Sequence, residues 1–253
     1  MDIVSIGLLS LVSVFYGRLL KSTINWLKVD GFIVKENDFR LEVFCLISWL
    51  WSAYSLQPME GIIFGLLAGI LFAISWVDFH TFQIPLIFII VGSITVLYGV
   101  LVGVINYKTA TYGVIVGSVI PLALIWLIFL ITKRQGMGYG DIQLGFVLGI
   151  WLGPMRMALT LFGASLLSLV VWIIIAAIKG FDRNRALPFA PYLAIAGLVT
   201  FIGSVYFPNI FHYLITCPVF LATLTNFPDS SSLFLPTFVD SPDLGSTNIR
   251  LEI

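Results

Sequence analysis

Long apolar segments alternate with short polar loops along most of this chain. Crossing the hydrocarbon layer of a membrane takes about 20 apolar helical residues, and shorter spans occur at some cost. Glycine and proline mark several joints between segments, for example Pro58, Pro154 and Pro188. The apolar segments are 3–20, 43–57, 62–77, 86–105, 112–132, 142–153, 157–178 and 191–210. This pattern predicts an all-α fold, a polytopic membrane helix bundle of about eight transmembrane helices.

The same pattern divides the chain into three parts. Residues 1–60 hold two spans joined by a short basic loop, and residues 61–210 hold a core of six spans. Residues 211–253 are rich in Ser, Pro, Asp and Thr and have no helical period, which predicts an irregular tail outside the membrane.

Composition narrows the class of protein further. Hydrophobic residues make up 59% of the chain and charged residues 10%, whereas an average soluble domain carries about a quarter charged residues. Thirteen basic residues balance thirteen acidic ones, so no positive excess favours nucleic acid, and the lipid bilayer is the expected surrounding. Two cysteines and two isolated histidines predict neither a disulfide framework nor a metal site, and we expect no cofactor.

Basic residues are concentrated in alternate loops, which predicts the orientation of the spans. Loops rich in Lys and Arg stay on the cytoplasmic side of a membrane. The loops after the first, fifth and seventh spans hold Arg18, Lys21, Lys28, Lys35, Arg40, Lys133, Arg134, Lys179, Arg183 and Arg185. We therefore expect these loops in the cytoplasm and both termini outside.

Two aspartates stand apart from the other acidic residues, which lie in charged loops, outer segments or the tail. Asp78 ends the third span and Asp141 begins the sixth. A carboxylate near hydrocarbon costs up to about 3 kcal/mol, so such residues tend to be functional or paired. Because the third span runs inward and the sixth runs outward, both aspartates are predicted at the same depth on the cytoplasmic side.

Two carboxyls at one depth can share a site if their helices are neighbours. Close carboxyls do not easily ionise together, so one keeps a proton while the other acts as a base. That arrangement suits an aspartyl protease, in which one group activates water and the other donates a proton. The alternative is that each aspartate caps a helix or contacts headgroups; this suits Asp141 at a helix start, whereas the dipole disfavours Asp78 at a helix end.

Three glycines alternate just before Asp141, namely Gly136, Gly138 and Gly140. Glycine lets another backbone approach closely, which would suit a protease that binds its scissile segment extended. An ordinary flexible loop is the alternative interpretation.

Three segments together resemble the type IV prepilin peptidases, which are GxGD-type membrane aspartyl proteases. They are Asp78-Phe79-His80-Thr81-Phe82-Gln83-Ile84-Pro85, Gly136-Met137-Gly138-Tyr139-Gly140-Asp141-Ile142 and Leu187-Pro188-Phe189-Ala190-Pro191-Tyr192-Leu193-Ala194. The resemblance covers residues 60 to 205. It departs from the family pattern at Gln143, where lysine is usual, and at Ala190, where glycine is usual.

The resemblance implies a metal-free endopeptidase that removes the short basic leader of prepilin or pseudopilin precursors at the cytoplasmic face of the bacterial inner (plasma) membrane. Asp78 and Asp141 match the catalytic acids, and Gly138, Gly140, Pro188 and Phe189 match positions that shape the site or position substrate. Larger family members carry two CxxC pairs between the first two spans, associated with N-methylation. The corresponding loop here has no cysteine, so methyltransferase activity is doubtful.

Three other classes of function are alternatives to this interpretation. A proton-coupled transporter could use the two aspartates as a relay, although it would place them nearer the bilayer midplane. A presenilin-like intramembrane protease is the second alternative within the protease class. A non-catalytic subunit of a secretion or pilus machine is the third, and the intact acids and glycines argue against it.

Overall fold

The structure is a computed structural model that describes residues 3–35, 37–133, 138–180 and 187–209. Every regular element within these ranges is helical, and none is a strand. A single 3-10 turn, Val29–Gly31, follows the first helix. The α-helices are α1 (Ile3–Leu27), α2 (Arg40–Ser55), α3 (Pro58–Thr81), α4 (Leu86–Leu101), α5 (Tyr107–Val114), α6 (Ile120–Thr132), α7 (Tyr139–Lys179) and α8 (Ala190–Tyr206). The all-α prediction is confirmed over the described residues.

Three helical runs are long and apolar enough to cross a membrane: Pro58–Thr81, Tyr107–Ile131 and Tyr139–Lys179. The helices α4 and α8 are apolar but shorter. Large hydrophobic side chains are exposed along α1, α4, α6 and the second half of α7, which is the surface expected of a protein surrounded by lipid. The count of about eight crossings stays a prediction, and the proposed tail lies outside the described residues.

The helices α5 and α6 join through a widened π turn, Ile115–Val119, and form one continuous run. Pro121 explains the turn locally, because it has no N–H to donate to the carbonyl of Gly117 one turn earlier. The widened turn lies where this run crosses α7.

The crossing between this run and α7 is made of glycines. Gly113 lies against Gly149, and Gly117 lies against Gly145, so close that a Cβ on any of the four would overlap the backbone carbonyl opposite. Small residues four positions apart allow two helix backbones to touch in this way. The contact fixes the position of α7 just beyond its first turn.

The helix α7 reverses direction at Gly153, whose φ of 74° and ψ of 176° are not helical and which precedes Pro154. Leu148 and Thr160, on either side of the reversal, both contact Gly197 of α8. In one straight helix those two residues would stand roughly 18 Å apart. The two arms of α7 therefore lie side by side against α8, and the reversal falls at the joint predicted between 142–153 and 157–178.

The helix α3 lies at the centre of the bundle and contacts α1, α2, α4 and α8. Its buried side chains include Leu67, Ile70, Leu71 and Ile74, each almost fully buried. The helix that carries Asp78 is therefore held by neighbours on several sides.

A buried ion pair joins α1 to α2. Lys21 Nζ lies 3.6 Å from Oε1 of Glu42 and donates a hydrogen bond of 2.8 Å to the carbonyl of Asp38. Gly17 permits this approach, since a Cβ there would lie 2.8 Å from Cα of Glu42. The pair fixes the start of α2 against α1.

Candidate active site

Asp78 lies in the last turn of α3 and is only 5% exposed. The helix ends at Phe82, which has the left-handed φ of 54° and donates its N–H to the carbonyl of Asp78 at 2.9 Å. Oδ2 of Asp78 accepts a hydrogen bond of 3.3 Å from the backbone N–H of Ala190, the first residue of α8. The carboxyl is therefore oriented by the start of a second helix.

Asp141 lies in the first turn of α7 and is half-buried. Gly138 begins the helix in an extended conformation, and its carbonyl accepts the N–H of Asp141 at 3.2 Å. The carboxyls of Asp78 and Asp141 lie close enough for the charge of one to act on the other. The structure thus brings together the two aspartates that the sequence places in separate segments.

The arrangement has the chemical character of a carboxyl dyad. Neither aspartate makes an ion pair with any residue in the described part of the chain. Two carboxyls that act on each other without a cation between them do not easily ionise together, so a state with one of them protonated is favoured. Among the described residues there is also no group of three or more His, Cys, Asp or Glu side chains that could hold a metal ion.

Gly140 joins the segment of Asp141 to the segment of Asp78. A Cβ on Gly140 would lie 3.0 Å from Cβ of Ile84, which follows the end of α3. A Cβ on Gly138 would lie 3.4 Å from Oδ2 of Asp141, so glycine leaves that carboxyl uncovered on this side. Gly136, the third predicted glycine, lies outside the described residues.

Pro188 is buried and Phe189 is half-buried immediately before α8. The carbonyl of Phe189 accepts the N–H groups of Tyr192 and Leu193, each at 3.1 Å, which starts the helix. These contacts orient the N–H of Ala190 toward Asp78. The third motif therefore supports Asp78 through the backbone of Ala190.

Sequence reasoning missed two features around the dyad. It assigned no role to Ala190, whose backbone donates to Asp78. It also did not expect the loop between α1 and α2 to contact the end of α3, where Phe32 stacks on His80 at 4.5 Å and the Gln83 amide donates to Asp30 at 2.7 Å. Neither feature has a signal in the sequence, because a backbone donor and a loop contact leave no distinctive residue pattern.

The fold and the site together define a class: a helical protein of membrane character with a paired-aspartate site where two helix ends meet. The family model described as the type IV leader peptidase family matches residues 65–173, a range that holds both aspartates. Over this segment the chain is similar to the type IV leader peptidase family, in agreement with the resemblance of the three motifs.

Individual relatives agree with the family match. The three relatives described here are each named prepilin leader peptidase/N-methyltransferase. That of Aeromonas hydrophila is 30% identical over 151 residues, 58% of this chain and 51% of the relative. That of Pseudomonas putida is 31% identical over 162 residues, which are 61% of this chain and 52% of the relative. That of Dichelobacter nodosus is 33% identical over 130 residues, which are 51% of this chain and 42% of the relative.

The aligned segments span about half the length of these relatives. No solved structure matches the chain at a significant level.

Proposed function

We propose that this protein is a membrane aspartic endopeptidase that cleaves the leader peptide of type IV prepilin-like precursors, either pilins or pseudopilins. The observation that carries the proposal is the proximity of Asp78 and Asp141 at two helix ends, without a cation among the described residues to pair with either. The names of the relatives support the substrate class.

The chemistry follows from one ionised and one protonated carboxyl. The hydrogen bond from Ala190 favours Asp78 as the ionised partner. Its carboxylate takes a proton from water as the water oxygen attacks the scissile carbonyl carbon, and Asp141 gives its proton to the carbonyl oxygen. When the tetrahedral intermediate collapses, the C–N bond breaks, Asp78 gives its proton to the leaving amine and Asp141 recovers one from the hydroxyl.

The four site-shaping residues have distinct proposed roles. Gly138 leaves an edge free of side chain beside Asp141, where an extended substrate could lie. Gly140 allows close contact between α7 and Ile84. Pro188 and Phe189 immediately precede α8 and so present the N–H of Ala190 to the dyad.

Membrane orientation is part of the proposal. We place the dyad at the cytoplasmic face of a bacterial inner membrane, with about eight crossings, because the basic loops and the dyad fall at the same ends of the predicted spans. A cysteine introduced at Lys28 should react with an impermeant maleimide only after the inner membrane is opened, and one introduced at Asn106 should react in intact spheroplasts. The reverse labelling pattern would place the dyad on the opposite side.

The transporter alternative has no observation in its favour. A relay for protons would need acidic groups along the helices near the bilayer midplane. Asp78 lies in the last turn of α3 and Asp141 in the first turn of α7. The methyltransferase activity named for the relatives is not proposed here, since the loop between α1 and α2 contains no cysteine.

The deciding experiment is cleavage of a prepilin-like precursor by the purified chain in detergent. Asp78→Asn and Asp141→Asn should each abolish cleavage, because asparagine keeps the shape of the side chain but cannot exchange the proton. The double variant should lose no more than either single variant, as expected for groups that act as a unit. Asp38→Asn is the matched control, since Asp38 lies in a loop beside Arg40 and its loss should leave cleavage unchanged.

Metal chelators should have no effect on the wild-type rate. If either single Asn variant cleaves at a substantial fraction of the wild-type rate, the dyad is not the catalytic centre.

A further inference from the structure

Arg18 is an exposed cation within the apolar helix α1. It faces a groove of about 650 Å³ between α1 and the start of α4. The walls of the groove are apolar side chains, chiefly Leu19 and Trp26 on α1 and Ile87 on α4. Ser22 adds a hydroxyl one turn beyond Arg18. The groove therefore combines one positive charge with a surface suited to hydrocarbon.

The contacts of α1 show how deep Arg18 lies in the bundle. The Tyr16 hydroxyl donates a hydrogen bond of 2.7 Å to the carbonyl of Leu66, and both Tyr16 and Leu20 contact Gly69. Those two residues of α3 lie near the middle of its Pro58–Thr81 range. Because α1 continues to Leu27, Arg18 lies within this helix and not in the loop after the first span, where the sequence pattern predicts it. It leaves α1 about halfway along the central helix α3, at a depth that a membrane would fill with hydrocarbon.

An unpaired arginine at such a depth is costly. Within the described residues Arg18 forms no ion pair or hydrogen bond, and none of the side chains that line the groove is acidic. Its neighbour Lys21, by contrast, points inward to Glu42. The long side chain of Arg18 can reach along the groove toward the polar surface at the dyad end of the bundle, as arginines in membrane helices commonly do.

We propose that this groove binds an anionic phospholipid from the leaflet on the dyad side, with the phosphate on Arg18. A guanidinium pairs with a phosphate through two parallel hydrogen bonds, and the Ser22 hydroxyl is placed to add a third. The phosphate would lie between Ser22 and Trp26, where the Arg18 side chain extends toward the dyad end, with Trp26 and Ile87 at the level of the headgroup and glycerol. An acyl chain would lie deeper, along Phe15 and Leu19. An anionic lipid is favoured over a zwitterionic one because the groove has no carboxylate to hold an ammonium group.

This site is separate from the carboxyl dyad. It rests on insertion of the chain in a membrane and not on the proposed peptidase activity. A failure of the cleavage experiment would therefore leave it standing.

The test is lipid binding to the detergent-purified chain, measured by native mass spectrometry with dioleoylphosphatidylglycerol and dioleoylphosphatidylcholine as probes. The wild-type chain should retain the phosphatidylglycerol about tenfold more strongly, a preference worth roughly 1.4 kcal/mol. Arg18→Gln should lose the preference. Lys28→Gln removes an exposed positive charge outside the groove, and this variant should keep the preference for phosphatidylglycerol.

Ile87→Trp provides a second variant that leaves Arg18 intact but fills the groove. It should also lose the preference, which separates a shaped lipid site from simple attraction to a positive charge. Equal retention of the two lipids by the wild-type chain, or an unchanged preference in both Arg18→Gln and Ile87→Trp, would overturn the proposal. Competition by millimolar inorganic phosphate would likewise overturn it, because it would indicate an anion site without lipid specificity.

Discussion

The backbone N–H of Ala190 donates to Oδ2 of Asp78, although the two residues are 112 positions apart in the sequence. The bond joins the start of α8 to the end of α3, and it joins the first and third of the segments that resemble the family. Because the donor is a main-chain group, its function does not depend on which side chain stands at position 190. This explains how alanine can occupy the position where the family usually has glycine.

The first prediction concerns this hydrogen bond. Replacing residue 190 by its α-hydroxy acid turns the amide N–H into an ester oxygen and removes only the donor. Hydrogen bonds to charged groups contribute about 1.5–3 kcal/mol, so precursor cleavage should slow by roughly 10- to 150-fold. The measurement is the single-turnover cleavage rate of the chain carrying the ester.

The same ester at residue 195 is the control, because Ile195 is exposed on α8 and its N–H does not contact the dyad. That ester should leave the rate within about twofold of wild type, since a single exposed helix bond contributes only about 1 kcal/mol to stability. Equal rates for the two esters would show that the bond to Asp78 does not matter for cleavage.

The second prediction concerns Gly140 and Ile84. An alanine at position 140 would place its Cβ 3.0 Å from Cβ of Ile84, closer than ordinary contact, so α7 and the segment after α3 must move apart. Displacements of about 1 Å at a catalytic site can cost roughly 100-fold in rate. Gly140→Ala should therefore lower the cleavage rate strongly while the protein still purifies as a folded species.

Removing the opposing side chain should reverse this loss. Ile84→Ala frees the space that the new methyl group needs, so the double variant Gly140→Ala, Ile84→Ala should recover much of the rate lost in Gly140→Ala. An interaction energy near zero in this double-mutant cycle would contradict the proposed contact.

The sequence indicated which helix ends carry the two aspartates, but not the contacts around them. Asp78 and Asp141 could be placed together because alternating basic loops fix the direction of each span, and direction fixes which helix ends share a side. The joint near Gly153 and Pro154 could be predicted because glycine and proline interrupt a helix locally. These inferences use information that lies within a few residues of each position.

Contacts between distant segments could not be predicted in this way. The hydrogen bond from Ala190, the stacking of Phe32 on His80 and the glycine crossing at Gly117 depend on how whole helices pack. The start of α2 at Arg40 also precedes the predicted span at residue 43, since the helix continues through polar residues that the buried pair of Lys21 and Glu42 holds in place. The pattern of residues in a single sequence does not indicate which distant residues contact each other.

The third prediction concerns that ion pair. Lys21→Met would leave the carboxylate of Glu42, a residue only 5% exposed, without its cation. Breaking a buried pair by removing one partner costs about 3–5 kcal/mol. The melting temperature of the purified protein should fall clearly, whereas Lys28→Met, at an exposed position near the end of α1, should change it little.

The double variant Lys21→Met, Glu42→Leu should recover most of that stability, because replacing both charges by apolar groups removes the unpaired carboxylate. Thermal unfolding of the four proteins gives the comparison. If the double variant melts as low as Lys21→Met or lower, the pair has a role beyond charge compensation.

The fourth prediction concerns the glycine crossing. Gly145→Ala would force its methyl group into the backbone carbonyl of Gly117, and neither backbone can move without separating the two helices. Overpacking of this kind costs about 1–3 kcal/mol, so the melting temperature should fall. The cleavage rate should fall as well, because Asp141 lies one turn before Gly145 on the same helix.

Gly7→Ala is the matched control for this substitution. Gly7 is also a helical glycine, but a Cβ there would have no neighbour within 4 Å. Alanine is favoured over glycine in helices by up to about 1 kcal/mol, so this variant should be as stable as wild type or slightly more stable, with an unchanged cleavage rate. A Gly145→Ala protein that melts and cleaves like the Gly7→Ala protein would mean that α7 does not touch the neighbouring helix backbone to backbone.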